Sequence, residues 1–374
     1  GWQLNNIPSH HSNLETFELE EAQRLKDANA YDRSIGLYRM FLERFGKSKH
    51  AYRVNFFLAE ILFEQKADYD SALLQYESVL ARSNTGEYTE DAALGAVFCY
   101  DELLVKAGIR ERARGNKGVE KVKLSESELK KKQKDDFEET DLHPLEKGFV
   151  KSVDTYVETV TAWLDANPEL KKKNPERGAN IPVMSFIAAQ LLYSHGKYRE
   201  AVKRLQVVFD HFPNHKFAAY AVNVLIDCYA RLRQWEKVEN WAVKLIKAKN
   251  FKVKSKRELD KIRAIAISER ARIMTLNKDY KDAVKANMSL VKEFAKTDKE
   301  LAATSLFNVA AIYERARNIP KAIKTYEQVR KKFPKAKISP QAQFTIGLIY
   351  ESQTQFAKAA QAFSRMDLFK EDPQ

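Results

Sequence analysis

Residues 305–334 read SLFNVAAIYERARNIPKAIKTYEQVRKKFP. Two amphipathic stretches meet near Asn318, and Ile319 serves as an anchor for both. Ala322, Tyr326, Val329 and Phe333 follow it at offsets of three, seven, ten and fourteen, which trace one face of a helix. Upstream, Ala310 lies nine residues before the anchor and Tyr313 six before it. A small residue at the first position lets two helices approach closely, and the large one fills the gap between neighbouring pairs. The stretch therefore encodes a helix hairpin, with helix A before the anchor and helix B after it.

The same pattern recurs along the chain. KYREAVKRLQVVFDHFP (197–213), DYKDAVKANMSLVKEF (279–294) and QFAKAAQAFSRM (355–366) align with NIPKAIKTYEQVRKKFP (318–334). In these stretches the offset of seven is apolar except at Asn287. The anchors are Tyr31, Tyr69, Phe149, Tyr198, Trp235, Tyr280, Ile319 and Phe356. Three residues on stand Ser34, Ala72, Ser152, Ala201, Val238, Ala283, Ala322 and Ala359, small in all but one case. Repeated rings and small residues at helical offsets are core packing rather than a cofactor site.

This recurrence resembles the tetratricopeptide repeat, a helix hairpin with a period of about 34 residues, small residues where its helices meet and a closing Pro. The Ile319 unit fits best, with Val309, Ala310, Tyr313, Ala322, Tyr326 and Pro334 in register. Successive anchors are 38, 80, 49, 37, 45, 39 and 37 residues apart, so several units exceed the family period. The resemblance implies an all-α superhelical solenoid of about eight hairpins with a charged insertion. Units ending in Phe-Pro, at 212–213 and 333–334, resemble periplasmic and envelope scaffolds of Gram-negative bacteria. Those include outer-membrane assembly, cell-division and gliding-motility components.

The spacing of 80 residues marks the insertion. GIRERARGNKGVEKVKLSESELKKKQK is basic, DDFEETD (135–141) is acidic, and apolar periodicity fades across both. The expected layout is N-terminal hairpins over 1–107, a mobile insertion over 108–145 between the two helices of the third hairpin, and hairpins resuming over 146–374. A second departure, KAKNFKVKSKRELDKIR (247–263), lengthens the junction before the Tyr280 unit. Asn167-Pro168, followed by Lys171, Lys172 and Lys173, reads as an exposed turn.

Composition excludes several classes. Among 374 residues, 44% apolar and 31% charged, the chain can bury a core, while 12 Gly and 10 Pro argue against a loop-rich all-β protein. Two cysteines, Cys99 and Cys228, make neither a disulfide framework nor a four-thiolate metal site, and read as buried small residues. No apolar run approaches the roughly 18 residues of a membrane span. The chain opens Gly1-Trp2, which fits processing of a longer precursor carrying a signal or lipid anchor. Nucleotide-binding, nucleophile-elbow and zinc-protease motifs are missing from the sequence. His211 and His215 have a metal-ligand spacing, but Pro213 between them breaks the helix. We expect no enzyme activity, catalytic residues, metal, cofactor or small-molecule substrate.

The expected function is a scaffold that binds a protein or peptide on its concave face. The resemblance implies that helix A lines that face, at positions five, eight, twelve and fifteen before each anchor. It thereby nominates Phe186, Gln190, Tyr193, Tyr220, Asn223, Asp227, Arg272, Phe307, Glu314 and Phe344. Rings supply contact area and amides satisfy backbone groups, which suits an extended or helical peptide. The lining lacks the Lys and Asn set by which some family members clamp a C-terminal carboxylate. The net charge of +13, from 64 Lys and Arg against 51 Asp and Glu, raises nucleic acid as the alternative partner. Lysines fall on helix B, junctions and the insertion rather than in a groove, which disfavours nucleic acid but keeps an anionic membrane surface open as a neighbour. The expected compartment is the periplasm or envelope, with the cytoplasm as alternative.

Overall fold

The computed structural model describes residues 7–110, 139–166, 178–248 and 255–365. Its described residues form sixteen α-helices, divided between two compact units, Gly1–Ala221 and Val222–Gln374. The first unit holds α1 (Ile7–Asp27), α2 (Tyr31–Phe45), α3 (Ala51–Lys66), α4 (Tyr69–Arg82), α5 (Thr89–Lys106), α6 (Pro144–Ala166), α7 (Ile181–Ser194) and α8 (Tyr198–His211). The division falls within α9 (Lys216–Arg231). The second unit continues with α10 (Trp235–Lys247), α11 (Lys256–Leu276), α12 (Tyr280–Phe294), α13 (Lys299–Arg315), α14 (Ile319–Lys332), α15 (Ser339–Ser352) and α16 (Phe356–Ser364).

Within each unit, helices pack on their sequence neighbours: α1 on α2, α3 on α4, α5 on α6 and α7 on α8 in the first, α11 on α12, α13 on α14 and α15 on α16 in the second. The repeat register explains this order. The residues three after each anchor are all buried, from Ser34 and Ala72 to Ala322 and Ala359, because helix A crosses there. Ser34 Oγ donates to the carbonyl of Ala22 at 2.8 Å, satisfying its hydroxyl inside the contact. At seven after the anchor Tyr38, Tyr76, Tyr156 and Tyr326 are at most 1% exposed. Tyr38 donates to Gln23 Oε1, Tyr76 to Glu60 Oε1 and Tyr326 to Glu314 Oε2, each on helix A of its own hairpin. In the last hairpin Phe363 occupies that position, and a Cβ on Gly347 of α15 would collide with its ring, so glycine replaces the usual alanine.

Seven anchors are the first residue of their helix B, and the residue two before each has positive φ: Asn29, Ala67, Gly196, Arg233, Lys278, Arg317 and Thr354. A left-handed residue ends helix A, and the next N–H reaches back five residues, as in Asn318 N to Tyr313 O at 2.8 Å and Gln355 N to Tyr350 O at 2.9 Å. Six of the seven carry a side chain despite the steric cost. That cost, about 1–2 kcal/mol, exceeds glycine's entropic penalty of about 0.5–1 kcal/mol. We expect Arg317→Gly to stabilise by about 0.5–1 kcal/mol in urea melts, with Arg317→Ala near neutral. A lower midpoint for Arg317→Gly would refute the turn argument.

The third hairpin uses the same turn. Gly108 has φ +70° and Ile109 N donates to Leu104 O at 3.0 Å, so helix A closes as though helix B began at Arg110. Residues 111–138 of the charged insertion lie outside the described residues, as do 167–177 with the Lys171–Lys173 corner and 249–254 of the later junction. The chain re-enters the description against the turn of the fourth hairpin. Thr140 N donates to His195 O at 3.0 Å, Lys197 Nζ meets Glu139 at 2.8 Å, and Glu146, 6% exposed, lies 3.3 Å from His195 Nε2. Glu146 also accepts the backbone N–H of His143 at 2.7 Å, capping α6. Phe149 consequently sits inside α6 rather than at its start.

Cys99 and Cys228 are buried free thiols, and burial pushes Cys99 up to about 12, which suits inert packing groups.

Candidate binding face

The residues nominated from sequence fall into distinct environments. In the first unit, Phe186 on α7 is buried, its ring centroid 5.4 Å from Phe217 and 6.4 Å from Tyr220. Tyr193 is buried against Tyr198 at 5.4 Å, edge to face. Neither ring offers an exposed contact surface: α7 is apolar around its circumference, so these residues, twelve and five before the anchor, pack inward with the rest. These two are placed in the core, not on the face. Gln190 is half-buried, and Tyr220 stands 57% exposed on α9.

Tyr220 is exposed yet held. Its ring lies 6.2 Å from Phe217, which stacks on His215 at 5.7 Å and 17°. Burial depresses the imidazole's affinity for its proton, and Lys216 adds to that, which favours the neutral, stacking form of His215. The helix α8 ends at His211, so His211 and His215 do not share a helical face. Among the described residues no group of three or more His, Cys, Asp or Glu is gathered as a metal would need.

In the second unit Asn223 is half-buried with its Oδ1 lacking a hydrogen-bond partner, and Asp227 is bound by Arg231 at 2.7 Å. Phe307 is half-buried, 5.0 Å from Tyr326 in an edge contact, and Phe344 is 45% exposed beside Phe363 at 5.5 Å. Arg272 and Glu314 come together. They line a cleft of about 550 Å³ between α11 and α13, with Ser268, Glu269, Thr275, Leu276, Asn308, Ala311, Ile312 and Arg315. Arg272 Nε is held by Glu269 at 2.8 Å, and Glu314 accepts from Tyr326 at 3.0 Å. Burial and the Glu314 charge both keep the Tyr326 phenol protonated.

Asn287 of α12, 1% exposed, belongs to the same cleft. Its Oδ1 accepts from Ser268 Oγ at 3.3 Å and its Nδ2 donates to Ala283 O at 3.3 Å. Asn308 Nδ2 reaches Ser268 Oγ at 3.5 Å, on the limit of a hydrogen bond. Asn287 and Asn308 were not among the nominated residues. The signal for Asn287 was in the repeat itself, an amide where the other hairpins carry an apolar residue or a tyrosine.

A family model described as tetratricopeptide repeat matches residues 19–88 and 310–374. No curated protein matches the chain. Solved structures that align with it include BtubC (BKLC) from P. vanneervenii, 14% identical over 59% of this chain and 94% of that one, with a TM-score of 0.33. A tetratricopeptide repeat protein from Parabacteroides merdae ATCC 43184 is 11% identical over 88% and 96%, with a TM-score of 0.31. The C-terminal part of a TPR repeat-containing protein from Cytophaga hutchinsonii is 14% identical over 86% and 98%, with a TM-score of 0.30. The tetratricopeptide model thus matches segments at both ends of the chain, and the same A–B hairpin closure recurs between them at Gly196, Arg233 and Lys278.

Proposed function

We propose that this protein is a non-enzymatic scaffold that captures a protein or peptide partner on the face formed by its A helices. The observation that carries the reading is Tyr220, a ring 57% exposed and braced by the Phe186 and Phe217 rings. A ring held in place before binding loses little freedom when a partner covers it, which is how a few aromatic side chains dominate an interface. The exposed Phe344 and Leu348 offer apolar area of the same kind on α15 of the second unit. Mixed charge at Arg272, Glu269, Glu314 and Arg315 suits a polar peptide better than a phosphate backbone.

Tyr220→Ala is expected to weaken partner capture by about 2 kcal/mol, roughly thirtyfold in Kd, with the melting temperature little changed. Cross-linking capture followed by titration of the recovered partner measures it. Unchanged affinity for Tyr220→Ala, together with loss of capture on deleting 111–138, would transfer the docking role to the insertion. Retention on an oligonucleotide with a steep salt slope would replace the protein-scaffold reading altogether.

The proposed setting is a bacterial envelope assembly, supported by the Phe-Pro unit ends at 212–213 and 333–334. Fractionation of cells expressing the full-length protein tests it, and recovery in the cytoplasmic fraction alone would refute it.

A further inference from the structure

Charge is divided unevenly between the two units. Val222–Gln374 carries 32 Lys and Arg against 17 Asp and Glu, a balance of +15, while Gly1–Ala221 carries 32 against 34, a balance of −2. The positive charge of the chain therefore belongs to the second unit, an asymmetry that calls for an anionic partner there. Within that unit the lysines follow the repeat. At five, twelve and sixteen after the anchor the Tyr280 hairpin has Lys285, Lys292 and Lys296, and the Ile319 hairpin has Lys324, Lys331 and Lys335. All six are exposed. In the first unit the same positions hold Gly36, Glu43 and Lys47 after Tyr31, and Lys203, Asp210 and Asn214 after Tyr198, so the triplet is no general feature of the repeat.

Equivalent positions in successive repeats share one face of the stack, and α12 and α14 both pack on α13, so the two triplets form neighbouring rows on the B helices. Among the described residues Lys331 meets Glu327 at 3.8 Å, and the other five lysines meet no carboxylate at ion-pair distance. Two nearby acids are engaged elsewhere, Glu293 by Arg263 and Asp298 by Arg257. We infer that this face docks the second unit on an anionic membrane surface, the ammonium groups meeting the lipid phosphates. Its chemistry favours lipid over nucleic acid. The face is lysine throughout, a hydrated point charge that needs no aligned partner, whereas nucleic-acid sites draw on the arginine fork. No ring of α12 or α14 is exposed, so nothing there stacks on a base. Met288, 41% exposed between Lys285 and Lys292, adds apolar contact at headgroup depth. The inference does not depend on partner capture by the A helices, because all six lysines belong to the B helices and the turns that follow them.

The test sediments the full chain with vesicles of phosphatidylcholine containing about one third phosphatidylglycerol, and with phosphatidylcholine alone, at about 0.1 M salt. Binding is expected with the anionic vesicles only, and is expected to fade at about 0.5 M salt. Each lysine beside such a surface contributes about fivefold, so Lys285→Gln, Lys292→Gln, Lys324→Gln and Lys331→Gln combined should weaken binding more than about a hundredfold. The same four positions changed to Arg should retain it. A matched variant of the first unit, Lys47→Gln, Lys49→Gln, Lys151→Gln and Lys203→Gln, should bind as the unaltered chain does. Equal sedimentation with both vesicles, undiminished binding by the Gln variant of the face, or equal loss from the first-unit variant overturns the inference. A single-stranded oligonucleotide or polyglutamate that binds through these lysines while the vesicles do not would give the face to nucleic acid or to an acidic protein, and overturns it equally. Should the fourfold Gln variant unfold early in a thermal melt, Lys296→Gln with Lys335→Gln replaces it, with a loss of about twentyfold expected and an unchanged affinity overturning the inference.

Discussion

Tyr76→Ala should destabilise the first unit by about 3–5 kcal/mol, the range for truncating a large buried ring. Tyr76 is 1% exposed and is surrounded on several sides. Its ring centroid lies 6.3 Å from Phe56, its hydroxyl donates to Glu60 at 2.5 Å, and Gly95 of α5 approaches so closely that a Cβ there would stand 2.5 Å from Tyr76 Cζ. The ring therefore joins helix B of the second hairpin to helix A of both the second and the third. Tyr76→Phe keeps the volume and removes only the donor to Glu60, so about 1 kcal/mol is expected. Gly95→Ala attacks the same contact from the other side and should cost about 1–3 kcal/mol through overpacking. Urea melts followed by helical circular dichroism decide this: losses below 1 kcal/mol for Tyr76→Ala would show that the ring does not lock the hairpins.

Alkali should unfold the first unit before the second. Burial pushes the Tyr38 phenol up to about 12, and drives those of Tyr76, Tyr156 and Tyr326 well above the ordinary tyrosine range, with nearby carboxylates adding to the last three. Each folded-state value exceeds the unfolded one, about 10. The folded protein therefore holds these protons longer. Their contribution to stability is complete below pH about 10 and is lost as pH rises from there toward the folded values, a window closing near 12 for Tyr38. The slope is about 1.4 kcal/mol per pH unit for each tyrosine. Tyr38, Tyr76 and Tyr156 belong to the first unit and Tyr326 to the second. The first should lose about 4 kcal/mol per pH unit from these three, and Tyr88 and Tyr100, shifted the same way by burial, steepen it further. Tyrosinate absorbance should rise together with loss of helix. Smooth titration near pH 10 with helix intact would contradict it.

The hairpin register was legible residue by residue. Anchors at Tyr31, Tyr69, Tyr198, Trp235, Tyr280, Ile319 and Phe356 open their second helices, and the small residues three further on are buried. Phe149 departs because the chain, having completed its turn at Gly108, re-enters at Thr140 against His195 and winds an early turn of α6 first. The left-handed residues at the turns were not legible, since only Gly196 among those seven is a glycine. The others are imposed by the back-bonded closure of helix A, which outweighs local preference. At the binding face, helical offsets placed Arg272 and Glu314 on neighbouring A helices but could not tell exposed rings from buried ones. Phe186 and Tyr220 carry the same chemistry, and one is 2% exposed while the other is 57%.

By itself the sequence determined the repeat, because 3.6-residue periodicity and small residues at helix crossings are local properties repeated often enough to be read without coordinates. Tertiary structure alone decided which side chains stay exposed and where a cavity opens. Exposure depends on the neighbouring hairpin's helix, not on the residue's own. Asn287 illustrates the division: its sequence shows an amide out of pattern, and only the packing of α11 against α13 places it in the wall of a cleft.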